Sequence, residues 1–123
     1  MIKYEVEVYV GGSEEWYLNG QRHRENGPAI EYSTGYKSWW LNGLLHRVDG
    51  PAVKWSNGYK AWFLNGDRHR EDGPAIENLD GYKAWYLNGE EVTEEDVMGH
   101  TIVIDGKSIR ISNESYKNLK ENL

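Results

Sequence analysis

Three histidines, His23, His46 and His69, each followed by arginine, are the residues of this chain best suited to chemistry, since imidazole serves as metal ligand and general base near neutral pH. They recur at a fixed interval of 23 residues. If each interval is one β-hairpin, equivalent side chains in successive units lie two strands apart, roughly 10 Å at the usual strand spacing. Ligands of a single metal lie much closer together. The interval therefore predicts neither a shared metal centre nor a catalytic triad, and no nucleophile recurs beside the histidines. An imidazole that closes an Asn-Gly turn or stacks on aromatic rings is the expected structural use.

The arginines that follow, Arg24, Arg47 and Arg70, together with Arg22 and Arg68, are expected to fall in one row suited to an extended anionic partner, because guanidinium is a fork for carboxylate or phosphate. Glu25, Asp49, Glu71 and Asp72 lie in the same loops, so local ion pairs are the competing use. A third set, Tyr17, Trp40, Phe63 and Tyr86, is aromatic in every unit while its identity varies. It suits the core of a protein interface, or packing against the C-terminal segment. No Gly-rich phosphate loop, metal motif or hydrolase elbow is present, so the chain is expected to be non-enzymatic and to need no cofactor.

The elements that must position these residues are legible from the repeat. Trp16-Tyr17-Leu18-Asn19-Gly20 realigns with Trp39 to Gly43, Trp62 to Gly66 and Trp85 to Gly89. The same register superimposes Gly27-Pro28-Ala29, Gly50-Pro51-Ala52 and Gly73-Pro74-Ala75, then Gly35-Tyr36-Lys37, Gly58-Tyr59-Lys60 and Gly81-Tyr82-Lys83. Such a period marks a stacked array in which each unit depends on its neighbours to bury its apolar face. Tyr59 to Leu64 reads as a strand, Asn65-Gly66 as its reversal and Asp72-Gly73 as a second bend. Alternation sends Lys60, Trp62 and Leu64 to one face and Tyr59, Ala61 and Phe63 to the other. The expectation is an all-β meander of hairpins in one elongated sheet.

Both ends depart from the repeat and read as caps. In residues 1–11, Ile2, Tyr4, Val6, Val8 and Val10 alternate with charged residues, which predicts a half-buried strand covering the open edge of the first hairpin. The array proper, 12–89, holds three full units and a truncated fourth. In 90–123, Thr93 is expected to cap a short helical turn, Asp105-Gly106 to close a hairpin, and Ser112 or Asn113 to cap a helix with Tyr116, Leu119 and Leu123 on one stripe.

Tyr36-x-x-x-Trp40-x-Asn42-Gly43-x-x-His46 resembles the MORN repeat, whose unit also spans 23 residues, and the likeness covers about residues 12 to 89. Ser38, Ala61 and Ala84 stand where that repeat has an inner glycine, Arg follows each His, and the second glycine comes one residue late. The closest resemblance is to the MORN-like variants of bacterial and phage proteins. It implies a row of hairpins acting in protein association, with contact to acidic lipid in some members. For this chain it suggests an accessory protein that binds and inhibits a host factor.

Composition bounds these readings. Fourteen Gly, six Trp and nine Tyr against one Phe favour short strands and turns. The absence of cysteine leaves packing alone to hold the fold and makes a reducing cytoplasm the expected location. The N-terminal alternation is unlike a signal peptide, and no apolar run approaches the length of a membrane helix. Net charge is −6, which argues against general nucleic-acid binding. Residues 16 to 89 are nearly neutral, with nine basic and eight acidic side chains, between an N-terminal segment of −3 and a C-terminal segment of −4. The acidic run Glu90 to Asp96 is readable as a solvated helix start or as a surface for a basic partner. Three functions stay open: a protein-interaction module, a binder of nucleic acid, nucleotide or acidic lipid through the Arg/His row, and a homodimeric structural subunit.

Overall fold

Each unit is built on an Asn-Gly reversal. In the computed structural model, which describes residues 3–122, Asn19, Asn42, Asn65 and Asn88 take φ of 50 to 52° and the glycines after them 78 to 86°. Two successive positive φ angles make the tight reversal whose twist matches that of paired strands. Hairpin arms follow directly: Tyr17 pairs Arg22, Trp40 pairs Leu45, Phe63 pairs Arg68 and Tyr86 pairs Glu91.

Beyond the arms the returning chain leaves the ladder. Residues 69–74, the His-Arg loop and its proline, swing out and rejoin at Ile76–Glu77, which pairs both with Lys60–Ala61 and with Lys83–Ala84. Trp62 spans the opening, donating its N–H to the Ala75 carbonyl at 2.8 Å and accepting from the His69 N–H at 3.0 Å. The strand expected over Tyr59 to Leu64 is therefore two pieces, Lys60–Ala61 and Phe63–Leu64. Trp39 interrupts the second unit in the same way. At the ends the strands run unbroken, Glu14–Leu18 and Lys83–Leu87. There a neighbouring strand pairs straight through the tryptophan, Val6 opposite Trp16 and Val92 opposite Trp85.

The architecture is mainly β, as expected, but it is not one uniform sheet. A continuous antiparallel sheet runs from Glu5–Val8 to Glu90–Val92, while the hairpin tips of the second and third units form two-stranded ladders of their own. Its core consists of small side chains. Ala29, Ala52 and Ala75 have no solvent exposure, and Val53, Ala61, Ile76 and Ala84 cluster beneath Tyr36, Leu45, Tyr59, Phe63 and Tyr86.

The caps divide in outcome. Glu5–Val8 does pair with the first hairpin, so the edge is covered as expected. It is not half-buried: all four residues are exposed, Val8 at 67%. Among the described residues no second layer faces it, and Tyr4 beside it packs on Trp16 at 5.3 Å and His23 at 6.2 Å. Ile2 lies outside the described residues. At the other end Thr93 and Asp96 form a reciprocal cap on the helix Glu94–Met98. The hairpin His100–Ile104 and Lys107–Ile111 leads into the helix Asn113–Glu121, capped by Ser112. His100 stacks on Tyr116 at 3.7 Å and bonds Asn113 through Nε2 at 2.8 Å. Of the predicted stripe, Leu119 remains 46% exposed and Leu123 lies outside the described residues.

The column that holds Ser38, Ala61 and Ala84 begins with a carboxylate, Glu15, 9% exposed. It accepts hydrogen bonds from the hydroxyls of Tyr32 at 2.7 Å, Tyr17 at 2.8 Å and Tyr9 at 3.2 Å. The Tyr32 hydroxyl, then that of Tyr17, holds this carboxyl below its ordinary value of about 4.5 against the opposing effect of burial. A depressed folded-state pKa contributes stability that is fully present above pH about 4.5 and is lost as pH falls toward the folded value. Urea unfolding at pH 7 and at pH 3.5 is expected to show wild type losing its advantage over Glu15→Gln across that interval. An equal difference at both pH values would refute this role for Glu15.

Candidate interaction site

Each histidine of the repeat sits at a joint between units. His23 Nδ1 accepts the backbone N–H of Asn42 at 2.8 Å, His46 Nδ1 that of Asn65 at 2.9 Å and His69 Nδ1 that of Asn88 at 2.9 Å. The first residue of a left-handed turn has an amide that no strand satisfies, and the preceding unit supplies the acceptor. Two backbone bonds close the same joint. Arg24, Arg47 and Arg70 donate their N–H to the carbonyls of Trp40, Phe63 and Tyr86, and Gly43, Gly66 and Gly89 donate to Arg22, Leu45 and Arg68. The three imidazoles thus serve three separate joints, and among the described residues no group of three or more His, Cys, Asp or Glu is placed to hold a metal ion.

The arginines next to them are turned inward. Arg24, Arg47 and Arg70 lie over Trp16, Trp39 and Trp62 at 3.8 to 3.9 Å from the ring centroids, a cation–π geometry. Their Nη1 groups donate to the carbonyls of Pro28, Pro51 and Pro74, and the Nε groups of Arg47 and Arg70 donate to Asp49 and Asp72. The glycine before each proline makes room: a Cβ at Gly27, Gly50 or Gly73 would lie 3.3, 2.9 or 2.7 Å from the guanidinium carbon. Arg22 and Arg68 do not share this row. Arg22 lies 5.2 Å over Trp40, and Arg68 lies 5.8 Å over Phe63 and 5.5 Å over Tyr86. Trp40, Phe63 and Tyr86 alternate with the first set of rings along the strands, so the five arginines divide between the two faces.

The aromatic row Tyr17, Trp40, Phe63 and Tyr86 is half-buried. Phe63 and Tyr86 pack on the core cluster, the Tyr17 hydroxyl is bound to Glu15, and the Trp40 indole N–H donates to Ser38 Oγ at 2.7 Å. These contacts lie within the array. Tyr86 in addition lies on the strand that pairs with Glu90–Val92, directly opposite Glu91.

Exposed apolar side chains occur at both ends of the chain and, within the full units, at Leu44, Val48 and Trp55 of the second and at Leu79 and Tyr82 of the third. Shallow grooves separate successive His-Arg loops. Trp39 and Leu41 line one, Trp62 and Leu64 the next, and Arg47, Val48 and Asp49 form the wall they share. Leu44, Val48 and Trp55 are 48%, 83% and 51% exposed. The corresponding positions in the flanking units are Gln21 and Asp67, Glu25 and Glu71, and Tyr32 and Asn78. None of the three was singled out from the sequence, although reading the units against one another rather than for their shared motif exposes them.

Comparison with family models, with curated proteins and with solved structures found no match. Among the described residues no helix is long and apolar enough to cross a membrane.

Two substitutions test the joints. His46→Ala removes the acceptor of the exposed Asn65 N–H and is expected to cost about 0.5–1.5 kcal/mol in urea unfolding. Amide exchange at Asn65 should accelerate more than at Asn42 or Asn88; uniform acceleration would mean that the bond is not local to its joint. Gly73→Ala displaces Arg70 from Trp62 and is expected to cost about 1 kcal/mol. A neutral result would show that the stacking is dispensable.

Proposed function

We propose that this chain is a non-enzymatic protein-interaction module built from MORN-like hairpin repeats, with the second unit as its contact region. The resemblance favours an accessory protein of bacterial or phage type that engages a host factor. One observation carries the reading: the second unit has exposed Leu44, Val48 and Trp55 where its neighbours have Gln21 and Asp67, Glu25 and Glu71, and Tyr32 and Asn78. Nothing in the repeat itself calls for these changes, because the first and third units make the same hairpin, the same imidazole joint and the same Arg–Trp stack without them. Val48 borders the grooves beside Arg47 and Trp39, and Trp55 lies with Arg22 and Trp40, so the exposed apolar side chains of this unit supply contacts on both faces.

The His and Arg rows support this reading indirectly. Their imidazole Nδ1 and guanidinium groups are engaged within the array, which leaves partner contact to the residues that vary. Leu44→Gln combined with Trp55→Asn returns two positions to residues found in the flanking units, so the fold should be kept, as circular dichroism and urea unfolding would verify. Cross-linked partner captured from cells by the wild-type chain is expected to fall at least tenfold with this variant. Undiminished capture by a folded variant would remove the second unit from the contact.

A further inference from the structure

The three full units differ in what faces the second nitrogen of their histidine. With Nδ1 accepting an amide N–H, a neutral imidazole carries its proton on Nε2. In the first unit the Glu25 carboxylate approaches His23 Nε2 to 3.5 Å, and in the third Glu71 approaches His69 Nε2 to 3.3 Å. The equivalent residue in the second unit is Val48. Among the described residues His46 forms no ion pair, and it lines a groove with Arg47 and Val48 whose carboxylates, Glu25 and Asp49, are engaged elsewhere, Glu25 with His23 and Asp49 with Arg47.

A second acid is missing from the same face. Glu31 and Glu77 correspond to Lys54, and where Arg70 Nη1 lies 3.9 Å from Glu77, the equivalent pair Arg47 and Lys54 has like charge. Lys54 is directly opposite Lys37 on one side and Lys60 on the other, so three ammonium groups stand abreast. Among the described residues Lys37 alone of the three is in an ion pair, with Glu31 at 3.6 Å, while Lys60 lies directly opposite Glu77 in the ladder. Like charges in register oppose pairing. Residues 39–61 carry Arg47, Lys54 and Lys60 against Asp49, a charge of +2 in a chain of −6.

We propose that this face of the second unit binds an acidic segment of a partner protein. One Asp or Glu carboxylate of that segment accepts from His46 Nε2–H, in the place that Glu71 takes beside His69 in the third unit, and its neighbours meet Lys37, Lys54 and Lys60. The assignment rests on the interaction-module reading and names the chemistry of the partner. Carboxylate fits better than a nucleic-acid backbone for three reasons. The guanidiniums of Arg24, Arg47 and Arg70 are closed onto rings and proline carbonyls. The positive stretch ends at Glu31 on one side and Glu77 on the other, too short for a phosphate rail. Val48, beside the donors, offers apolar contact that a mixed peptide can use.

The test uses the full chain, a decaglutamate peptide as probe and a thymidine decanucleotide as its counterpart. Decaglutamate is expected to shift the His46 imidazole and Val48 amide resonances while leaving His23 and His69 in place, with affinity falling as salt rises. Val48→Glu combined with Lys54→Glu installs the flanking residues and is expected to weaken binding at least tenfold while keeping the fold. If that variant fails to fold, Lys54→Gln alone should weaken binding at least threefold. Equal affinity in a folded variant, absence of decaglutamate binding, or equal shifts at all three histidines overturns the proposal. So does tighter binding of the decanucleotide, which would assign the face to phosphate. Self-association abolished by the double variant would overturn it in favour of a second copy. Failure here with capture through Leu44 and Trp55 intact would leave the interaction reading standing.

Discussion

The hydrogen bond from a turn amide of one unit to the imidazole of the unit before it is the contact on which the array depends. A left-handed asparagine gives each hairpin its tight reversal, and the same conformation leaves the asparagine N–H outside every ladder. In each following unit that donor is met by an acceptor that the preceding unit presents at 2.8 to 2.9 Å. Histidine does so from the base of a loop that leaves the ladder, and the loop in turn is held by arginine stacked on tryptophan and bonded to a proline carbonyl. The recurring Asn, His, Arg, Trp and Pro of the motif all take part in this arrangement. The period of the repeat is the distance over which it can be made again.

The residues that look most reactive are for this reason the ones most fully engaged. An imidazole and a guanidinium in each unit suggest catalysis, metal binding or an anion rail, yet the imidazole Nδ1 joins one unit to the next and the guanidinium face holds the loop of its own unit. Information about partners lies in the departures instead. Val48 and Lys54 keep the joint intact, since His46 still bonds Asn65 and Arg47 still covers Trp39. They remove two carboxylates that the flanking units supply, and set three lysines side by side at some expense in stability. A single unit can diverge in this way because an array is stabilised mostly by contacts between neighbours, so a solvent-facing change in one unit leaves the others undisturbed.

The ends of the array solve a different problem, the absence of a neighbour. At the start, Glu15 stands where later units have Ser38, Ala61 and Ala84, and three tyrosine hydroxyls satisfy its carboxylate. At the far end the histidine loop is replaced by Val92 and a capped helical turn, so no imidazole is left without a following asparagine.

Features decided within a few residues were legible in the sequence: the 23-residue unit, the Asn-Gly and Asp-Gly reversals, the Thr93 and Ser112 caps, and the pairing of the first strand. Each follows from backbone conformation or from a side chain reaching its own neighbours. What depended on which surfaces meet was decided only by the tertiary structure. The tryptophan breaks arise because a loop opens opposite Trp39 and Trp62. Val6 and Val8 stay wet because no layer covers them, and the arginines divide between two faces because alternate rings receive them. His46 became distinct from His23 and His69 only when Glu25 and Glu71 were seen beside an imidazole nitrogen. One-dimensional pattern identifies the residues that repeat, but an unmet hydrogen bond is a property of the space around an atom.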